Sequence, residues 1–580
     1  MDSELRERVE RAARRHALLN AVKYDSDADV GAVMGPLMGE NPDFRPHADE
    51  IPGVVGGVVA EVNGLSAAEK RSELEALAPE ELADIEAEDE GEEHPLPDLP
   101  NVDDGVVMRA APNPNGPWHL GHARMPAVIG TYKDRYDGRF ICRFDDTDPD
   151  TKRPDLDAYG AILDSIDYLG FDPDEVLRAS DRLDTYYDHA RELIDLGGAY
   201  TCSCPQGEFS DLKNAGEPCP HREKDTATTR KEFEAMVDGD YSAGEMVLRV
   251  RTDITHKNPA LRDWVAFRMI DRPHPRSEAA DYRCWPMLDF QSGVDDHLTG
   301  VTHIIRGIDL QDSAKRQRFV YDYFDWAYPE VIHWGHVQVD EYDVKLSTST
   351  IKGLIEAGEL DGWDDPRAPT LASLRRRGIR GEAIVDAMIE LGTSTSNVEL
   401  SMSAVYATNR DLIDDDANRY FFVRNGVETT LDGGPDAGHP PLHPDHEGRG
   451  RRDVPVGDAV LVEPADVPAD GERVWLKGFG CVRHVDDRFE YVGDDITAVR
   501  EEGVPVVHWA PADGLPVRMR TMNGDVTGVA EPAFADAAVD DVVQFERVGF
   551  VRVDSVARGD TGDRPPADGA EEAVVYFAHE

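Results

Sequence analysis

No apolar run in this chain reaches the length of a membrane span. The N-terminus, Met1-Asp2-Ser3-Glu4, lacks the apolar stretch of a secretory signal. Six cysteines among 580 residues are too few for a disulfide framework. These absences point to a cytoplasmic chain with no membrane partner. Lysine is scarce, and basic charge as a whole is in deficit: 61 Lys and Arg stand against 116 Asp and Glu, a net charge of -55. A basic footprint is the usual sign of a nucleic-acid binder, so at face value the charge argues against one. Bulk charge speaks of solubility and association, however, and not of chemistry. The acid is spread along the whole chain instead of forming a tail, which reads as adaptation to very high salt. The Debye length falls to about 3 Å at 1 M, so self-repulsion is screened, and so is attraction to phosphate. RNA binding would then lean on shape, stacking and specific hydrogen bonds.

What is present is enough apolar residue, 40 %, for several globular domains in a chain of this length. Residues 3–24 read as an amphipathic helix, with Leu5, Val9, Ala12, His16 and Leu19 on one face. Ser66-Ala67-Ala68-Glu69 is a capping box ahead of a helix expected to reach Glu86. The acidic, proline-rich stretch from Glu86 to Pro100 reads as a linker. From Gly105 the texture changes. A short apolar strand, 106–108, leads into a Pro/Asn/Gly loop at 112–117. A helix from Gly121 to about Tyr136 and a strand at 140–144 follow, the pattern of a doubly wound parallel sheet. Beyond about residue 400, short β-like runs at 504–509, 517–522, 542–546 and 573–577 suggest barrels.

His119-Leu120-Gly121-His122 sits where the loop meets a helix N-terminus. Free N–H groups there favour anions. Two histidines one turn apart can donate to phosphoryl oxygens as charge builds. Gly121 lets a flat base approach the backbone. A His-x-Gly-His run arises by chance in roughly one such chain in twenty, so alone it is a moderate signal.

It is not alone. The stretch from Arg109 to Arg124 resembles the first signature of the class I aminoacyl-tRNA synthetases, in their glutamyl/glutaminyl branch. Arg143-Phe144-Asp145-Asp146-Thr147-Asp148-Pro149 is similar to that branch's next block. Lys345-Leu346-Ser347-Thr348-Ser349 resembles the second class I signature, with Thr348 where a second lysine is usual. The resemblance implies ATP held by Pro112, Asn113, Pro114, Asn115, Gly116, His119, Leu120, Gly121, His122, Lys345, Leu346 and Ser347. His119, His122, Lys345 and Ser347 would be catalytic. Arg109 would hold a substrate carboxylate, and Asp145 would accept from the α-ammonium.

Gly300–Gly307 resembles the strand lining the side-chain pocket. Its Arg306 stands where the glutamyl enzymes have Arg and the glutaminyl enzymes have a small uncharged residue. A carboxylate wants a guanidinium and a neutral amide does not, so the resemblance implies glutamate. Leu288 departs from the Tyr of many relatives. The rival readings are a glutaminyl enzyme and a non-catalytic, synthetase-like tRNA-binding protein. Cys202, Cys204, Cys219 and His221 form a Cys-x-Cys, Cys-x-His set suited to structural Zn²⁺, the alternative being reduced buried thiols.

The expected architecture is multidomain. A helical domain with its linker occupies 1–100. An α/β Rossmann-type catalytic core spans 101–395, with a zinc-containing acceptor-stem insertion at about 197–280. All-β barrels that read the anticodon occupy 396–580. By resemblance the substrates are ATP with Mg²⁺, L-glutamate and tRNA. The form is archaeal, and a monomer is expected.

Overall fold

The computed structural model describes residues 3–23, 28–41, 44, 47, 51–79, 95–342, 344–556 and 572–580. The chain divides into two compact units, Met1–Pro97 and Asp98–Glu580. No helix among the described residues is long and apolar enough to cross a membrane.

The first unit is helical: Ser3–Lys23, Val30–Glu40, Ile51–Asn63 and Ala67–Leu77. Val9, Ala13, Ala17, Leu18, Val33, Leu37 and Leu74 fill its core. The Ile51–Asn63 helix carries Gly53, Gly56 and Gly57, each costing about 1 kcal/mol of helix propensity against alanine. Burial of Ile51, Val55, Val58, Val59 and Val62, at about 1.5–3 kcal/mol each, outweighs that. Ser66 precedes the fourth helix, and its carbonyl accepts from Lys70 N at 2.9 Å. The fourth helix ends at Leu77, short of the expected Glu86; residues 80–94, with most of the linker, lie outside the described residues.

The second unit is organised by a five-stranded, all-parallel sheet. Its strands include β1 (Val107–Ala110), β2 (Arg139–Phe144) and β3 (Glu175–Arg178). Four further strands, β4 (Ala199–Cys202), β5 (Val247–Val250), β6 (Val265–Met269) and β7 (Cys284–Pro286), leave that sheet and form an antiparallel one of their own. Around it pack Phe233, Leu248, Trp264, Phe267 and Trp285. The chain then returns as β8 (His303–Gly307) and β9 (Glu330–Trp334). The parallel order is β3-β2-β1-β8-β9. Strand order therefore reverses between β1 and β8. In open α/β sheets a crevice opens at such a point, beyond the strands' carboxyl ends. Arg109 and Arg306 sit at those ends.

Helices continue through Met402–Ile413, and a strand-rich part, interrupted by one short α-helix at Thr497–Glu502, begins at Arg419. Two seven-stranded sheets follow. One has Arg419–Tyr420 and Phe422–Arg424 as its two edge strands; the other has Val506–Val507 and Ala510–Pro511. In each case the opposite edges are almost contiguous in the chain, so both sheets must close into barrels. The 427–511 barrel is an excursion from the other, to which the chain returns at Leu515. Phe421 lies between the first barrel's edges yet packs in the second barrel's core beside Trp509. A fully buried ion pair, Arg452 to Glu531 at 2.5 Å, ties the two barrels together.

Candidate active site

β1 runs out into the loop 111–118, whose first half is pinned by three hydrogen bonds. Asp145 N donates to Pro112 O (2.9 Å), Asn113 Nδ2 to Asp145 O (2.9 Å) and Asp155 N to Pro114 O (2.7 Å). A 3₁₀ turn, Leu120–His122, precedes the helix Arg124–Tyr136. This puts the two histidine rings 3.8 Å apart, with Trp118 stacked on His122. Burial pushes His119 down to about 4. Burial and the neighbouring His119 push His122 down to about 3. Both rings are neutral at neutral pH, and both Nδ1 atoms are buried without a hydrogen-bond partner. Each ring still carries one N–H to donate.

A cavity of about 1040 Å³ is lined by Pro112, Asn113, Asn115, His119, Gly121 and His122 on one side. Lys345, Leu346, Ser347 and Thr348 line the other. Pro114, Gly116 and Leu120 stand behind its wall. Leu120 is fully buried, its N donating to Pro369 O at 2.9 Å. A Cβ on Gly121 would lie 3.3 Å from the His119 ring and 3.5 Å from Leu346. A Cβ on Gly116 would lie 2.5 Å from the Thr348 methyl and 3.2 Å from Trp363. Thr348 thus docks the Lys/Ser segment onto the Pro/Asn/Gly loop by packing. Ser347 caps the helix Thr348–Glu356, and Lys345 is exposed.

A smaller cavity, about 390 Å³, adjoins the first through Ala111, Gly121, His122, Met125, His336 and Val337. It brings Arg109, Asp145 and Arg306 together. Arg143 Nε donates to Asp145 Oδ1 at 2.8 Å, and Gln291 Nε2 donates to the same oxygen at 2.9 Å. Asp145 Oδ2 carries only a 3.5 Å contact from Arg143. Burial raises the Asp145 pKa, with Arg143 opposing. Arg306 Nη1 donates to Gln317 Oε1 at 3.2 Å, while its Nε is buried without a partner. Burial, with the charge of Arg109, lowers the Arg306 pKa. Its charge is under-compensated, so the cavity is suited to an anion.

Leu288 lines this cavity and offers no hydroxyl. A phenol stands behind Arg306 instead: Tyr328 Oη donates to Gln317 Oε1 at 2.7 Å. Sequence reasoning missed Gln291, Ser292, Asp296 and Gln317. Nothing marks one aspartate among 116 acidic residues.

At the end of β4, the ligand atoms of Cys202, Cys204, Cys219 and His221 all lie within 4.8 Å of one another. Cys202 Sγ is 3.8 Å from Cys219 Sγ, and Cys204 Sγ is 3.2 Å from His221 Nδ1. Tetrahedral Zn–S bonds of about 2.3 Å require sulfurs about 3.8 Å apart. His221 Nε2 is 3.2 Å from Ser203 Oγ, the outer partner a ligating imidazole needs. The set can hold a four-coordinate metal ion. Cys142, Cys284 and Cys481 are buried free thiols.

Residues 105–415 match the catalytic domain of the class I tRNA synthetases (E and Q). Residues 417–500 and 506–554 match two anti-codon binding domains of the same class. The chain is 71 % identical to the glutamate–tRNA ligase of Haloarcula marismortui and 69 % identical to that of Natronomonas pharaonis. Both comparisons cover 100 % of each chain. The glutamate–tRNA ligase of Methanothrix thermoacetophila is 44 % identical, again over 100 % of both chains. The catalytic match alone takes in more than half of the sequence and contains both adjoining cavities, and so this chain belongs to the class I tRNA synthetases of the E and Q type.

Proposed function

We propose that the chain is a glutamate–tRNA ligase: it activates L-glutamate with ATP to glutamyl-adenylate and transfers the glutamyl group to the 3′ end of tRNA(Glu). The observation that carries this is Arg306, buried and under-compensated in a small cavity that opens onto the paired histidines. The names of the full-length relatives support the same reading.

In the first step an oxygen of the glutamate α-carboxylate attacks the α-phosphorus of ATP. The bond to the β-phosphate breaks and pyrophosphate leaves. His119 and His122 act as neutral donors to the pentacoordinate centre, worth several kcal/mol in a dry site (about 3 per donor). Lys345 and the Ser347 helix N-terminus hold the leaving pyrophosphate, while Pro112–Gly116, Leu120, Gly121 and Leu346 shape the nucleotide site. Mg²⁺ bound with ATP would neutralise phosphate oxygens. Arg306 and Arg109 take the substrate carboxylates, and Asp145 Oδ2 accepts from the α-ammonium. In the second step a hydroxyl oxygen of the terminal tRNA ribose attacks the acyl carbon. The acyl–phosphate bond breaks, AMP leaves, and the hydroxyl proton passes to solvent. Positioning carries most of this step.

The reading extends to the remaining parts. The β4–β7 region holds the acceptor end, with Zn²⁺ on Cys202, Cys204, Cys219 and His221 as a scaffold. The barrels meet the anticodon. The enzyme works as a cytoplasmic monomer. Pyrophosphate exchange with glutamate and with glutamine, tRNA present, tests the proposal. Glutamate is expected to be preferred by more than about a hundredfold, as for a paired against an unpaired buried charge. Preference for glutamine would overturn it.

A further inference from the structure

Beneath the smaller cavity lies Asp296, a carboxylate to which nothing above assigns a part in the reaction. It comes from the helix Leu288–Leu298, and its side chain is 1 % exposed. Its Oδ1 accepts from Arg109 Nε at 3.0 Å and from Arg143 Nη1 at 2.7 Å. Its Oδ2 accepts from Arg109 Nη2 at 3.3 Å and lies 3.9 Å from Arg306 Nη2. One carboxylate thus gathers three guanidinium groups from the adjacent strands β2, β1 and β8. Burial opposes its charge, yet Arg109 and Arg143 outweigh burial and hold its carboxyl at about 2. The bidentate contact takes one whole edge of Arg109 and fixes the plane of that guanidinium. Arg143 ties the same carboxylate to Asp145 and, through Nη2, to Ser292 Oγ at 2.9 Å. The result is a ladder of alternating charge, Asp145–Arg143–Asp296–Arg109, with Arg306 loosely attached at its end.

We propose that Asp296 is a positioning residue: it sets Arg109 and Arg306 as a pair, so that a dicarboxylic amino acid binds in one pose. The proposal rests on the glutamate reading above. A purely neutralising role and a positioning role differ in sign. If Asp296 only offset charge, removing that charge would leave a more positive cavity and tighten an anion. If it positions, removal frees Arg109 to swing and loosens the substrate.

The test is tRNA-dependent pyrophosphate exchange on the full chain with D296N, D296E, R109A and R306A. D296N is expected to raise the glutamate KM at least about tenfold, the scale for truncating one partner of a buried charge pair. The ATP KM should stay within about twofold, since the nucleotide cavity is untouched. D296E, which keeps the charge but moves it by one methylene, should fall between wild type and D296N. In an R109A background D296N should add less than about threefold, because residues that act through one another are not additive. An unchanged or lower glutamate KM in D296N, or full additivity with R109A, overturns the proposal. If D296N does not fold, D296E decides: an unchanged glutamate KM there overturns it equally. Should R109A and R306A leave the glutamate KM unchanged, the glutamate reading itself fails. Should they raise it while D296N does not, only the positioning role fails.

Discussion

A histidine can meet an anion as a cation or as a neutral donor, and burial decides between these for His119 and His122. Their pKa values, lowered to about 4 and about 3, keep both uncharged through the neutral range. The unfolded chain holds these protons up to about 6.5. Between about 6.5 and 4 the folded state therefore binds fewer protons than the unfolded one, and stability rises with pH across that window. The contribution is complete above 6.5 and is lost as pH falls toward the folded values. Thermal melts should show the melting temperature dropping from pH 6.5 to pH 4, with a shallower drop in H119A/H122A. Exchange activity should show no acid limb at pH 6.5 from these rings. An unchanged slope in the double variant would contradict their being buried neutral. Asp296 belongs to this scale too. Its significance was illegible in sequence, because an aspartate on a helix carries no mark of the three arginines that other strands bring to it.

The β1–loop–helix element was largely legible. Apolar strand, Pro/Asn/Gly loop and His-Leu-Gly-His appear in the order in which they fold. The difference is local: a 3₁₀ turn intervenes, and the α-helix starts at Arg124 instead of Gly121. The turn is what brings the two rings within 3.8 Å. The cysteine set was legible as well, because Cys-x-Cys at a strand end and Cys-x-His after a turn are local patterns. Its proposed zinc has a direct test. Metal analysis of the purified chain should find about one zinc per chain, lost in Cys219→Ala. The β4–β7 region of that variant should become sensitive to proteolysis while the parallel sheet stays protected. A wild-type chain without metal would leave these residues as packed thiols. The docking of Thr348 over Gly116 could not be read, since 232 positions separate two residues whose contact only the closed loop creates.

Charge acts on the molecule as a whole. A net charge of -55 spread along the chain repels itself at every length scale that salt does not screen. Screening extends over about 3 Å at 1 M and about 10 Å at 0.1 M. The melting temperature should therefore fall steadily as sodium chloride is lowered from 2 M to 0.1 M, and pyrophosphate exchange should fall with it. A flat or rising melting temperature would remove the high-salt reading of the composition, which the haloarchaeal relatives fit. Barrel closure is also a property of this scale. Short β-like runs after residue 500 announced strands. That the chain begins one barrel at Arg419, builds another over 427–511 and then returns depends on pairings more than a hundred residues apart.

The sequence alone determined the class I signatures, the Cys/His set at 202–221 and the charge carried at position 306. Each is a local pattern or a single charge that can be read without knowing its neighbours in space. Tertiary structure decided what those residues can do together. Arg109 and Arg306 lie nearly two hundred positions apart, and only the pairing of β1 with β8 makes them one site. Only burial keeps the two histidines neutral, and only the helix 288–298 delivers the carboxylate that holds three arginines in place.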